Sequence, residues 1–244
     1  MYFDTHLHLV PAVDDGVRTV EEAVAVARQL VELGYGGGAV TPHIRPGRFE
    51  NTPAGLAPAT EALRRALAAE GVPFQVFDGA EHYFSPELGA ALIEGEGRAL
   101  GQPGGRHFLV ELPTELPILG VPEWLFRLRL TGRVPVFAHP ERCATFEDLE
   151  LCGRLVDAGA LLQLDLGSLA GAYGRGPRRL AEKLLAEDLY AVAGSDVHSL
   201  AQATRHLPKW IARLSKRAGS AKMDRLMHTH PRQILGLGPA EAQP

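Results

Sequence analysis

Seven short apolar runs, each followed by a longer stretch of helical character, set the frame for this chain. The runs are Tyr2–Asp4, Gly38–Thr41, Phe74–Asp78, Phe108–Glu111, Val134–Ala138, Leu161–Leu164 and Ala191–Ala193, and they read as strands. Between the first two, Val20, Val24, Ala27, Leu30 and Val31 fall on one apolar helical face. Thr19 is placed to cap that helix, Glu21 and Glu22 occupy its first turn, and Gly34 ends it. Further helices are expected near 57–70, 86–94, 121–131, 146–158, 177–187, 201–217 and 222–228. Strands alternating with helices predict a parallel α/β architecture. With 244 residues, 45% of them apolar, one domain of the larger kind accommodates all seven runs over residues 1–237. The segment 238–244, rich in Gly, Pro and Ala, reads as a flexible tail.

Composition removes several function classes. A net charge of −4 supplies no global basic field for a nucleic-acid backbone. No apolar run approaches the ~20 residues of a membrane span. The longest candidate, Leu155 to Leu166, is broken by Asp157 and Asp165. Polar residues begin at Asp4, so no secretory leader is read and a cytoplasmic location is expected. Cys143 and Cys152 cannot build a disulfide framework or a C-x-x-C metal site. Neither fits a cysteine phosphatase loop, because the residues six positions on are Leu149 and Ala158 rather than arginine. Gly34-Tyr-Gly-Gly-Gly38 reads as a turn.

The residues at the strand exits carry the functional signal. His6 and His8 follow the first strand, His43 the second, Glu81 the third, and Glu111 closes the fourth. His139 follows the fifth, and Asp196 and His198 follow the seventh. In a parallel barrel all strand exits share one face, where such folds place their chemistry. His6-x-His8 also matches the two-residue strand period, which sends both rings to one side. Imidazoles and carboxylates at successive exits point to a polynuclear metal site. Asp14-Asp15-Gly16 is a turn signature, close enough to His8 for Asp15 to fold back onto a metal. His82, next to Glu81, is expected at the surface, and His107, His228 and His230 are expected to be surface or locally satisfied residues.

The set Asp4-Thr-His6-Leu-His8, Val13-Asp-Asp15-Gly16, Thr41-Pro-His43, Gly79-Ala-Glu81, Val110-Glu111-Leu-Pro113, Ala138-His139-Pro-Glu-Arg142 and Gly194-Ser-Asp196-Val-His198 resembles the PHP (polymerase and histidinol phosphatase) superfamily. Within it, order and spacing resemble the bacterial manganese-dependent protein-tyrosine phosphatases of capsular and exopolysaccharide operons, the CpsB/YwqE/CapC type. The resemblance implies a distorted (β/α)7 TIM-like barrel, the PHP domain, with three metal ions at its mouth. The implied metal ligands are His6, His8, Asp15, His43, Glu81, Glu111, His139, Asp196 and His198, with Glu81 bridging two ions. Arg142 matches a phosphate-contacting arginine, and Arg205 is the nearest counterpart of a second. Arg45 and Arg48 are rim candidates with solvated positions as the default. Mn²⁺ is the implied cofactor, with Fe, Zn or Co able to use the same donors. The implied partner is the phosphotyrosine-bearing tail of a bacterial tyrosine kinase, with no nucleic acid and no direct membrane insertion. Two other readings stand beside it: a phosphatase of small phosphomonoesters such as histidinol phosphate, and a metal-binding module without turnover.

Overall fold

The computed structural model describes residues 1–238, so the expected tail lies outside the described residues from position 239 on. Nine strands and nine helices alternate along the described chain. Strands β1 (Tyr2–Leu7), β2 (Tyr35–Val40) and β4 (Gln75–Phe77) form one sheet in the order β1-β2-β4. Strands β3 (His43–Ile44), β5 (Glu81–Tyr83), β6 (His107–Glu111), β7 (Val134–Ala138), β8 (Leu161–Asp165) and β9 (Tyr190–Gly194) form the other, in that order. Every strand pairing within both sheets is parallel.

Nine strands appear where seven are expected because two runs are interrupted. Thr41-Pro42 separates β2 from β3, and Asp78-Gly79-Ala80 separates β4 from β5. Proline has no N–H to give a ladder, so pairing lapses at Pro42 and resumes at His43, which registers with Glu81. At the far edge, Leu7 forms a parallel bridge with Val197, and the Asp196 N–H donates to the His6 carbonyl at 3.1 Å. The first strand and the last strand exit are therefore neighbours.

One sequence expectation is corrected in β2. Gly36 and Gly37 lie inside the strand rather than in a turn, ahead of Gly38 where the strand is expected to begin. A Cβ on Gly37 would meet the Gln75 carbonyl oxygen at 2.4 Å, and one on Gly38 would meet Leu7 at 2.6 Å. Glycine is required there by close approach of the neighbouring strands, and the positive-φ turn is confined to Gly34.

The helices follow their capping signals. In α1 (Val20–Glu32) the Thr19 hydroxyl accepts from the Glu22 N–H, while Ala23, Val24, Val26, Ala27 and Leu30 are buried. Val20, assigned to that buried face from periodicity, is exposed. The other long helices are α2 (Pro53–Ala69), α3 (Pro86–Glu94), α4 (Val121–Leu130), α5 (Leu149–Asp157), α7 (Arg175–Ala186) and α8 (Leu207–Asp224). Short α6 (Leu166–Ala170) and α9 (His230–Ile234) complete the set. The helix expected from residue 201 opens with a π segment over Gln202–His206. No helix among the described residues is long and apolar enough to cross a membrane.

The main hydrophobic core joins the helices to the strands, with Phe137 edge-on to Phe146 and tilted against Trp124. A second cluster draws Phe3, Ala39, Phe77, Leu109, Val136 and Val192 from six strands and is closed by Leu100, Ile234 and Leu235. These cores fix the strand ends, and the strand ends carry the polar residues.

Candidate metal centre

The structure gathers all nine ligand candidates, the eight at strand exits and Asp15 from its turn. Four sets place one ligand atom from each residue within 4.8 Å of the others: His8, Asp15, His43 and His198; His6, His8 and Glu81; His6, His139 and Asp196; and His43, Glu81 and Glu111. Glu81 is the hub. Its Oε2 lies 3.2 Å from His6 Nε2, 3.4 Å from His8 Nε2 and 3.0 Å from His43 Nδ1. Its Oε1 lies 2.9 Å from His139 Nε2. Asp196 Oδ1 stands 3.3 Å from both His6 Nε2 and His8 Nε2. Asp15 Oδ1 stands 3.4 Å from His43 Nε2 and from His198 Nε2.

Local backbone geometry aims these groups. His139 and Asp196 hold φ at 33° and 52°, the left-handed region. Such conformations cost on the order of 1–3 kcal/mol and concentrate at functional sites. Both residues sit where a strand ends, so the turn throws the side chain back across the strand exits.

The donor set fits cations. His6 Nδ1 faces Gln163 Oε1 at 2.8 Å, and the Gln163 amide nitrogen donates to Thr5 Oγ1 at 2.7 Å. His6 therefore donates through Nδ1 and keeps its lone pair on Nε2. His8 Nδ1 faces Asp14 Oδ2 at 2.8 Å, which places its lone pair on Nε2 as well. These two nitrogens stand 3.1 Å apart with carboxylate oxygens against both. Facing lone pairs and anions repel one another unless a positive charge lies between them. Donors about 2.1 Å from one ion, at tetrahedral to octahedral angles, are about 3.0–3.4 Å apart. The separations of Glu81 Oε2 and Asp15 Oδ1 from their imidazole nitrogens, and of Asp196 Oδ1 from His6 and His8, are 3.0–3.4 Å and fall in that range; the 2.9 Å contact of Glu81 Oε1 with His139 is shorter. The buried Glu111 Oε2 and His139 Nδ1 have no hydrogen-bond partner among the described residues.

Without a cation the protons must balance this charge, and the side chains are poised accordingly. Burial opposes protonation of His43, yet Glu81 and Asp15 outweigh it and push its pKa up to about 10. Burial likewise opposes charge on Glu81, but His6, His43 and His139 hold it well below the usual carboxylate range. Glu111 is pushed up to about 7 by burial and by the charge of Glu81. His43 also stacks on Phe49 with ring centroids 5.1 Å apart.

Arg142 lies at the edge of the cluster. Its Nη1 donates to Asp196 Oδ2 at 2.9 Å, and its guanidinium sits 4.3 Å over the Tyr173 ring. The side chain is 22% exposed, so a ligand can reach it. Arg205 is exposed in the π segment that follows His198, with no hydrogen bond or ion pair among the described residues. Arg48 reaches Asp15 at 3.5 Å, and Arg45 stacks 3.8 Å over Tyr83.

The family model for capsular polysaccharide synthesis, CpsB/CapC, matches residues 2–236. The chain belongs to the CpsB/CapC family. It is 30% identical over 218 residues to the tyrosine-protein phosphatase YwqE of Bacillus subtilis, covering 89% of this chain and 85% of that protein. It is 26% identical to the tyrosine-protein phosphatase CpsB of Streptococcus pneumoniae, covering 95% and 97%. A solved structure from a study of YwqE and CpsB as metal-dependent tyrosine phosphatases superposes with a TM-score of 0.86 at 28% identity, covering 99% and 97%.

In this CpsB/CapC chain the supporting residues were less legible than the donors. Asp14, read only as part of a turn, is buried and also accepts from the His43 N–H at 3.1 Å and the Gly16 N–H at 2.9 Å. Asp165 ends β8, caps α6 and lies 3.8 Å from Arg142. Gln163 orients His6 from 157 residues away, a pairing with no local signal. His82 is corrected from surface to core: it is fully buried, faces the Leu109 carbonyl through Nδ1 and accepts the Arg98 N–H on Nε2. The strand period could have shown this, since successive residues of β5 point to opposite faces. His228 and His230 are satisfied by the Met1 and Ala191 carbonyls.

Proposed function

We propose that this protein is a metal-dependent phosphatase of phosphotyrosine in proteins, acting on the tail of a bacterial tyrosine kinase in capsule or exopolysaccharide synthesis. One observation carries it: nine donor residues, Glu81 among them, converge with a reachable guanidinium at their edge. The family membership and the named activity of YwqE and CpsB point the same way.

The donors are imidazole and carboxylate with no thiolate, a mixture suited to Mn²⁺ and usable by Fe, Zn or Co. Three ions would be held by these nine residues, with Glu81 contributing to two of them. Bound divalent ions supply an acidified water and a fixed positive charge for phosphoryl oxygens. Gln163 and Asp14 hold His6 and His8 in the tautomer that presents Nε2. Arg142 is held by Asp196 and Tyr173 before substrate arrives, so its N–H groups receive phosphoryl oxygens with little reorganisation. Arg205 is assigned as a second phosphate-contacting arginine. A tyrosine leaving group departs as a phenolate of pKa ~10 and needs little proton assistance.

The framework we assign is a distorted seven-stranded barrel over residues 1–237, with β2–β3 and β4–β5 as two interrupted strands. The Leu7–Val197 bridge and the six-strand apolar cluster support that reading. A cytoplasmic location belongs to the same proposal. The test is hydrolysis of a phosphotyrosine peptide beside histidinol phosphate, with and without Mn²⁺, by wild type and His6→Ala. Metal-dependent turnover of the peptide that is lost in the variant is expected. Turnover of histidinol phosphate alone would move the substrate to a small phosphomonoester.

A further inference from the structure

A cleft of about 390 Å³ opens directly beside Arg142, on the same face as the donors. Its walls include Thr114 after β6, Arg142 after β7, and Pro177, Arg179 and Lys183 of α7, which follows β8 and α6. Arg142 thus belongs both to the donor cluster, through Asp196, and to this cleft.

The charge of the cleft is lopsided. Arg179 and Lys183 are exposed, and neither has a hydrogen bond or ion pair among the described residues. They lie four residues apart on α7 and so share one side of it. The only acidic side chain of α7, Glu182, is taken by Arg213 and Arg217 of α8, each at 2.6 Å. Opposing the cations are Glu147, exposed on the cleft wall, and Glu141, whose oxygens are engaged internally with Tyr190 at 2.8 Å and the Asp165 N–H at 2.9 Å. Two unpaired cations, Arg179 and Lys183, therefore face one free carboxylate, with Arg142 paired to Asp196 at the inner end of the cleft.

A phosphoryl group held at Arg142 puts the peptide that carries it at the lip of this cleft. Residues of an extended peptide advance about 3.3 Å each, so side chains one to three positions from the phosphorylated residue can enter it. We propose that the cleft is an acidic-peptide subsite: Arg179 and Lys183 select substrates with Asp or Glu next to the phosphorylated residue. The proposal rests on the phosphatase reading and adds to it the composition of the peptide. Small phosphomonoesters do not reach the subsite and do not sense it.

The test compares three substrates on the Mn²⁺-loaded full chain: a phosphotyrosine peptide flanked by Glu, the same peptide flanked by Gln, and phenyl phosphate. Wild type is expected to prefer the Glu peptide by about fivefold in kcat/KM at low salt, mainly through KM. The preference should shrink as salt is raised. In R179E/K183E it should vanish or invert while phenyl phosphate turnover stays unchanged. Equal turnover of the two peptides by wild type, or a preference that survives the double variant, overturns the subsite and leaves the phosphatase reading standing. No turnover of any of the three removes both. Should the double variant fail to fold, the singly neutralised R179Q and K183Q replace it, each expected to lose part of the preference.

Discussion

Asp14 offers the sharpest test of how the donor cluster is held. Its carboxylate accepts from His8 Nδ1 at 2.8 Å, from the His43 N–H at 3.1 Å and from the Gly16 N–H at 2.9 Å. Those donors use both oxygens: Oδ2 serves His8 and His43, and Oδ1 serves Gly16. In Asp14→Asn one oxygen becomes an amide nitrogen, so a donor must face a donor whichever way the amide turns. If the amide oxygen stays with Gly16, His8 loses the charge-assisted bond that keeps its Nε2 lone pair in the cluster. Outer partners of metal-bound histidines are worth roughly 10–100-fold in metal affinity, about 1.4–2.7 kcal/mol. The variant is isosteric, and His8 remains packed against His198 with ring centroids 4.0 Å apart, so the fold should persist. Calorimetric titration of metal-stripped protein with Mn²⁺ reads the affinity, and circular dichroism checks that the variant is folded. A folded Asp14→Asn protein that binds Mn²⁺ within twofold of wild type would refute the reasoning. The Asp14–His8 bond would then be a packing detail, and orientation of His8 would have to come from elsewhere.

Two further outcomes are expected. Arg142→Ala should lower kcat/KM for a phosphotyrosine peptide by about a hundredfold to a thousandfold in protein that elemental analysis shows to be metal-loaded, because the role proposed for the guanidinium is to receive the phosphoryl oxygens and it belongs to none of the ligand groups; normal turnover would remove it from the mechanism. His82 is fully buried, and burial lowers its pKa from 6.5 to about 4, so its contribution is present above pH 6.5 and is lost as pH falls toward 4. From pH 7 to pH 5 this one group removes about 2 kcal/mol from wild type. Urea unfolding of metal-free His82→Gln should show a correspondingly smaller loss over that interval, and equal losses would mean that the imidazole is not held neutral.

What was legible in the sequence was the chemistry that repeats at equivalent places. A parallel α/β chain puts every strand exit on one face, so imidazoles and carboxylates at successive exits converge whatever the exact strand lengths. That logic survives the errors in strand boundaries: β1 runs to Leu7 rather than Asp4, yet His6 and His8 still flank its end. The misreadings share a cause. Gly36 and Gly37 have turn composition and lie in a strand because Gln75 presses against Gly37 from a neighbouring strand. Val20 fits the apolar period of α1 and is exposed because the first residue of that helix lies beyond the packed surface. In each case a contact distant in sequence overrides a local preference.

The supporting residues were illegible for a different reason, and it bears on how the site is stabilised. Gln163 sits in the middle of β8, Asp165 at its end and Asp14 in a loop, and each acts through a partner from another element. Their identity becomes meaningful only once β1 lies beside the β9 exit, where Asp196 meets His6 across 190 positions of sequence. Glu81 is surrounded by four imidazoles drawn from three strand exits, none of which can hold its charge alone. Metal affinity should therefore be coupled to the integrity of the whole strand arrangement rather than to any one loop. A buried carboxylate at the centre of that ring is costly without positive charge beside it. Bound cations and the contacts of β1 with the segment after β9 accordingly stabilise each other, so a substitution that loosens the Leu7–Val197 bridge should weaken metal binding from a position that touches no ligand atom.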